Sequence, residues 1–173
     1  MENKNTSVFL NALIWGVITG LVLIVYSVIL YMVDKVFDPT LGYLRYLILV
    51  AGLVVAVISY RDNVLEGEIS FGKALGFGVL ICVISGFLGA IYNYLLYTLI
   101  DPDLQGKLFE FAMNKSLERG ATESQLEPAL PLIKILTGPI VTSIGELLNT
   151  ALVGTILSLI VAAIFKKESE KIL

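Results

Sequence analysis

With 57% apolar residues and a mean hydropathy of +0.86 over 173 positions, the chain is too apolar for an ordinary soluble domain with a charged surface. Its net charge is −3 and its basic residues form no stripe that could follow a phosphate backbone, so nucleic acid is not an expected partner. Histidine is absent, which removes the commonest acid–base group, the nucleophile pairs built on it and most zinc sites, so an enzyme is not expected.

The first uncharged run, Val8 to Val33, would form a helix roughly 39 Å long, enough to cross a hydrocarbon core of about 30 Å with some tilt. It is too long for a signal-peptide core and no small-residue cleavage site comes promptly after it, so it reads as a retained span. Asn11, near its inner end, reads as interfacial. Asp34 and Asp38 read as solvated loop residues before a second span at about 43–60.

Residues 67 to 75, GEISFGKAL, come within one residue of the phosphate-binding pattern G-x-x-x-x-G-K-[ST], but Ala74 stands where the magnesium-binding hydroxyl is needed. The stretch also comes after an apolar span instead of a buried parallel strand. It is therefore expected to be the entry to a third span, about 71–100, with Ser70 as helix cap and Lys73 snorkelling to the headgroups, and no nucleotide is expected. The single cysteine, Cys82, sits inside this apolar run and reads as a packing residue.

Residues 101–138 are the one sizeable polar segment and are too short for an independent enzyme core. Asp101-Pro102-Asp103 has the acids and the early proline of a helix start, and Gly120 the character of its end. Leu104, Leu108, Phe111 and Ala112 would line one face of this helix. Thr122 and Gln125 form a capping box for a second helix, which Pro128 and Pro131 should shorten or kink. An amphipathic hairpin of this kind could cap its own bundle, rest on the membrane or bind a partner. A fourth span lies at about 139–165.

Helices in lipid gain little from hydrophobic burial against each other, so association depends on small residues that let backbones approach. Each span carries such residues at every fourth position: Ala12, Gly16 and Gly20; Gly52 and Ala56; Gly78, Cys82, Gly86 and Ala90; Thr150, Gly154, Ser158 and Ala162. Spacing by four keeps each row on one helical face.

Among polar residues inside the spans, Glu146 and Asn93 should lie at similar depth, about 10 Å from the same surface. Asn149 shares a face with Glu146, and Arg45 begins the second span on the same side. These residues predict an intramembrane polar cluster of Arg45, Asn93, Glu146 and Asn149. Its structural reading is an ion pair that orients helices; its functional reading is a proton-, cation- or small-ligand site.

Four spans put both termini on one side. Lys4, Arg61, Lys73, Lys166, Lys167 and Lys171 flank the spans on that side, and Lys35, Arg45, Lys107, Lys115, Arg119 and Lys134 lie on the other. The first set abuts the helices in shorter segments, which makes the termini side cytoplasmic. Tyr31, Tyr43, Tyr46, Tyr92, Tyr94 and Tyr97 would form an aromatic belt at the opposite face.

The order of parts, with the charged turn YRDNVLEGEISFGKAL, a glycine-rich third span, a DPDL helix start and a lysine-ended fourth span, resembles the domain-of-unknown-function 4199 family of small integral membrane proteins of Bacteroidota. The resemblance implies an inner-membrane location and no established activity. Pro128 and Pro131 interrupt a helix expected to be continuous in that family.

The expected fold is all-α: four transmembrane helices in an antiparallel bundle, with an extracytoplasmic amphipathic hairpin between the third and fourth. The expected role is that of a non-enzymatic interaction protein without cofactor or metal, with the lipid bilayer and a second copy or another membrane protein as partners. The alternative is a small transporter, channel or accessory subunit in which Glu146 senses a proton or cation.

Overall fold

The computed structural model describes residues 4–167; Lys171, one of the basic residues invoked for sidedness, lies outside the described residues. The chain forms α1 (Lys4–Met32), α2 (Pro39–Val64), α3 (Phe71–Leu95) continued by a π-helical turn (Leu96–Ile100), α4 (Leu104–Glu118) and α5 (Glu123–Leu126). A 3₁₀ turn (Glu127–Ala129), α6 (Leu130–Leu136) and α7 (Pro139–Phe165) complete it. Four segments, Val8–Met32, Pro39–Val64, Phe71–Ile100 and Pro139–Phe165, are long and apolar enough to cross a membrane. The fold is that of an all-α membrane protein with four transmembrane helices.

α2 outruns its apolar stretch at both ends. At its start the Asp38 carboxylate accepts the N–H groups of Thr40 and Leu41 at 2.9 and 3.3 Å, and Pro39 occupies the first helical position, where its missing N–H is of no consequence. Asp38 is therefore a helix cap and not simply a solvated loop residue. At its end Arg61 and Asp62, expected in a turn, are helical and form an ion pair at 2.7 Å. Hydropathy marks where lipid stops, whereas backbone hydrogen bonding carries the helix further. Asp38→Ala should lower stability by about 1 kcal/mol, read as a lower unfolding midpoint in detergent and faster amide exchange at Thr40 and Leu41.

The chain divides into two compact units, residues 1–88 with 148–173, and residues 89–147. In the first, the core is built from Leu49, Leu53, Val57 and Tyr60 of α2 and Phe77 and Ile81 of α3, all buried. The Tyr60 and Phe77 rings stack with centroids 4.3 Å apart and planes 16° from parallel. Ala12, Gly16, Gly20, Ala56, Gly78, Cys82, Gly86, Gly154, Ser158 and Ala162 are all buried, and Gly52 is half-buried.

The glycines lie at the close approaches. A Cβ on residue 16 would stand 2.7 Å from Ile84 Cβ, and one on residue 20 would stand 3.2 Å from Ser85 Cα, so α1 meets α3 almost backbone to backbone. At residue 52 it would come within 2.9 Å of the Thr19 hydroxyl, which joins α1 to α2. At residue 78 it would reach Ser158 Oγ at 2.7 Å, and at residue 154 Cys82 Cβ at 2.6 Å, which joins α3 to α7. The touching positions rise together along α1 and α3, and run in opposite senses along α3 and α7. Cys82 Sγ lies 3.9 Å from Ser158 Oγ, the cysteine serving as a small buried side chain.

In the second unit, Leu96 and Tyr97 are buried in the π-helical turn. Tyr97 is thus a core residue and not part of an exposed aromatic belt, whereas Tyr43 and Tyr94 are exposed. α4 buries Leu104, carries an exposed Lys115–Glu118 ion pair at 3.1 Å, and ends ahead of Gly120, whose φ of +93° favours glycine. The Thr122 N–H donates to Gln125 Oε1 at 2.9 Å to start α5. Beyond α5, Pro128 and Pro131 divide the chain into the 3₁₀ turn and α6.

Candidate functional site

Of the polar residues expected within the spans, Arg45 and Asn149 belong to the first unit and Asn93 and Glu146 to the second. In the first unit, Arg45 is half-buried on α2 and its Nη2 donates to Thr150 Oγ1 of α7 at 3.4 Å. One residue along each helix, Asn149 Nδ2 donates to Tyr46 Oη at 2.9 Å. Two adjacent side-chain bonds therefore fix the register of α2 against α7. Sequence reasoning alone misses Tyr46 and Thr150 here. It reads Tyr46 as a belt residue and Thr150 only as a small one, although both carry hydroxyls within one residue of an expected cluster member.

In the second unit, Asn93 Oδ1 accepts from Thr142 Oγ1 and Ser143 Oγ, each at 3.3 Å, joining α3 to α7. Each hydroxyl shares its single proton with a backbone carbonyl one turn back, Thr142 with Gly138 at 3.0 Å and Ser143 with Pro139 at 2.7 Å. Such bonds let polar side chains sit in an apolar stretch, because the backbone satisfies them locally. Glu146 is half-buried on α7, one turn beyond Thr142 and Ser143. The signal for this group is the pair Thr142-Ser143 at the start of a span, three and four residues before a carboxylate.

GEISFGKAL makes a different kind of contact from a phosphate cradle. Glu66 and Gly67 both have left-handed backbone, with φ of 56° and 90°. The N–H groups of Gly67, Glu68 and Ile69 are bonded to the carbonyls of Arg61 at 2.9 Å, Leu65 at 3.1 Å and Lys167 at 2.9 Å. Three amides at the start of this stretch are thus already paired within the chain. Ile69 also accepts from the Lys167 N–H at 2.9 Å, so a two-bond bridge ties the α2–α3 turn to the end of α7, with the Ile69 side chain buried. Lys73 is exposed in the first turn of α3, and the carbonyl of Ser70 accepts the Ala74 N–H at 3.0 Å.

Among the described residues, no three His, Cys, Asp or Glu side chains are grouped so as to hold a metal ion. An open cleft of about 480 Å³ lies in the second unit, lined by Asp103, Gln105 and Phe109 of the α4 region and by Lys134 and Thr137.

No curated protein and no solved structure shows a significant match to the chain. The profile of a family described as Protein of unknown function (DUF4199) matches residues 14–167, from within α1 to the lysine that closes the bridge with Ile69. Three of the membrane-spanning helices, most of the first, the glycine contacts and the bridged GEISFGKAL turn lie within that match, and the chain belongs to the DUF4199 family.

Proposed function

We propose that the protein is a non-enzymatic multi-pass protein of a bacterial inner membrane, with both termini cytoplasmic, that acts through helix packing and interaction. Its partners are the lipid bilayer and a second copy or another membrane protein, with no cofactor and no nucleotide. The observation that carries this reading is the set of glycine contacts joining α1, α2, α3 and α7 in the first unit, where a single added Cβ would collide with a neighbouring helix. Arg61, Lys73, Lys166 and Lys167 beside the span ends support the orientation.

A second reading rests on Glu146, a half-buried carboxylate in a transmembrane helix. Acidic groups in such positions often serve proton or cation movement. Reconstitution separates the two. With purified protein in liposomes, Glu146→Gln should leave proton and cation flux unchanged and lower stability by about 0.6 kcal/mol, the scale of a hydrogen bond between membrane helices. A flux in the native protein that this substitution abolishes, with stability retained, overturns the structural proposal.

A further inference from the structure

α6 presents an apolar face that none of the described residues covers. Leu132, Ile135 and Leu136 are 57%, 61% and 54% exposed, and they fall within about 100° of helical arc. The one charge on α6, Lys134, is exposed and lies nearly opposite that arc, about 150° from its centre. α4, which packs against α6, is different in character, with Lys107, Glu110 and Glu118 on its exposed positions.

Two further observations say what covers the α6 face. First, it is continuous along the chain with the membrane-facing side of α7, where Ile140 is 64% and Ile144 53% exposed, across a junction of only Thr137 and Gly138. Second, that junction pairs both of its N–H groups, its hydroxyl and the Gly138 carbonyl within the chain. The Thr137 N–H and hydroxyl both donate to the Ile133 carbonyl at 2.9 Å, the Gly138 N–H donates to Ile135 at 3.1 Å, and the Gly138 carbonyl accepts the Thr142 N–H at 3.0 Å. A connection at membrane depth must have such closure.

We infer that α6 is an interfacial helix lying in the acyl–headgroup boundary of the bilayer, with Leu132, Ile135 and Leu136 in the lipid and the Lys134 ammonium reaching the headgroup phosphates. The α3–α7 connection is then of two characters, α4 solvated and α6 embedded. The inference depends on the transmembrane fold and not on the function proposed above.

Trp15 is the single tryptophan, so a Trp15→Phe background permits site-specific fluorescence. Ile135→Trp and Leu136→Trp, each on that background, would be reconstituted into phosphatidylcholine–phosphatidylglycerol liposomes with brominated or ordinary acyl chains. Ile156→Trp on α7 marks full lipid exposure and Glu110→Trp on α4 marks solvent. At a depth of about 5–10 Å, bromolipid should quench the α6 reporters about half as strongly as Ile156→Trp, and aqueous iodide should barely reach them. Iodide quenching equal to that of Glu110→Trp, without bromolipid quenching, overturns the inference. Shielding from both quenchers also overturns it, by showing that protein covers the face. Two reporters on an exposed face, each checked for an unchanged unfolding midpoint, keep the result independent of one misfolded variant.

Discussion

Gly154→Val is expected to be the most disruptive single substitution along the helix contacts. A Cβ at this position would already stand 2.6 Å from Cys82 Cβ, an atom fixed to the α3 backbone that cannot swing aside as a side-chain tip can. α3 and α7 would have to separate or rotate, and the bonds nearby on α7, including that of Arg45 to Thr150, would be strained with them. Overpacking of this kind costs about 1–3 kcal/mol and at times more. The unfolding midpoint in detergent should fall accordingly. Gly154→Ala should show a weaker form of the defect, and the exchange Gly154→Ala with Cys82→Gly should recover much of it, because the side-chain atoms that collide are then gone. Gly145→Ala, on the same helix with nothing within 4 Å of its added Cβ, provides the contrast. Loss of stability at 145 equal to that at 154 would mean that helix propensity or insertion, not the contact with Cys82, governs the response.

Phe77→Ala should have an effect of comparable size. Its ring is fully buried and stacked on Tyr60. Truncating a buried phenylalanine in a soluble core costs about 3–5 kcal/mol, part of it transfer of apolar surface from water and part the cavity left behind. In a bilayer the transfer part weakens, because lipid is as apolar as the core, and the cavity and lost dispersion contacts dominate. The lower end of that range is therefore expected, measured by equilibrium unfolding in mixed micelles. Tyr60→Phe should change little, since stacking needs the ring. If Phe77→Ala and an exposed-site change such as Phe87→Ala lower stability equally, the stack contributes nothing specific.

The number of spans was legible in the sequence, because a bilayer core demands about 20 apolar residues and forces each crossing to satisfy its own backbone. The rows of small residues were legible for a related reason: four-residue spacing marks one helical face whatever the neighbour is. Helix starts made by local chemistry could also be read, as with Gln125 reaching back to the Thr122 N–H. Asp38 shows the limit, since its capping role depends on a backbone that extends the helix past the apolar run.

What only the tertiary structure decided is which faces meet. The bond of Arg45 to Thr150, beside that of Asn149 to Tyr46, depends on α2 and α7 being in register. The bridge between Ile69 and Lys167 joins residues almost a hundred positions apart, and nothing local in GEISFGKAL announces it. The physical reason is the same in both cases. Residue spacing sets the angle of a side chain around its own helix axis, but the rotation of that helix and the identity of its neighbour depend on all the interhelical contacts at once.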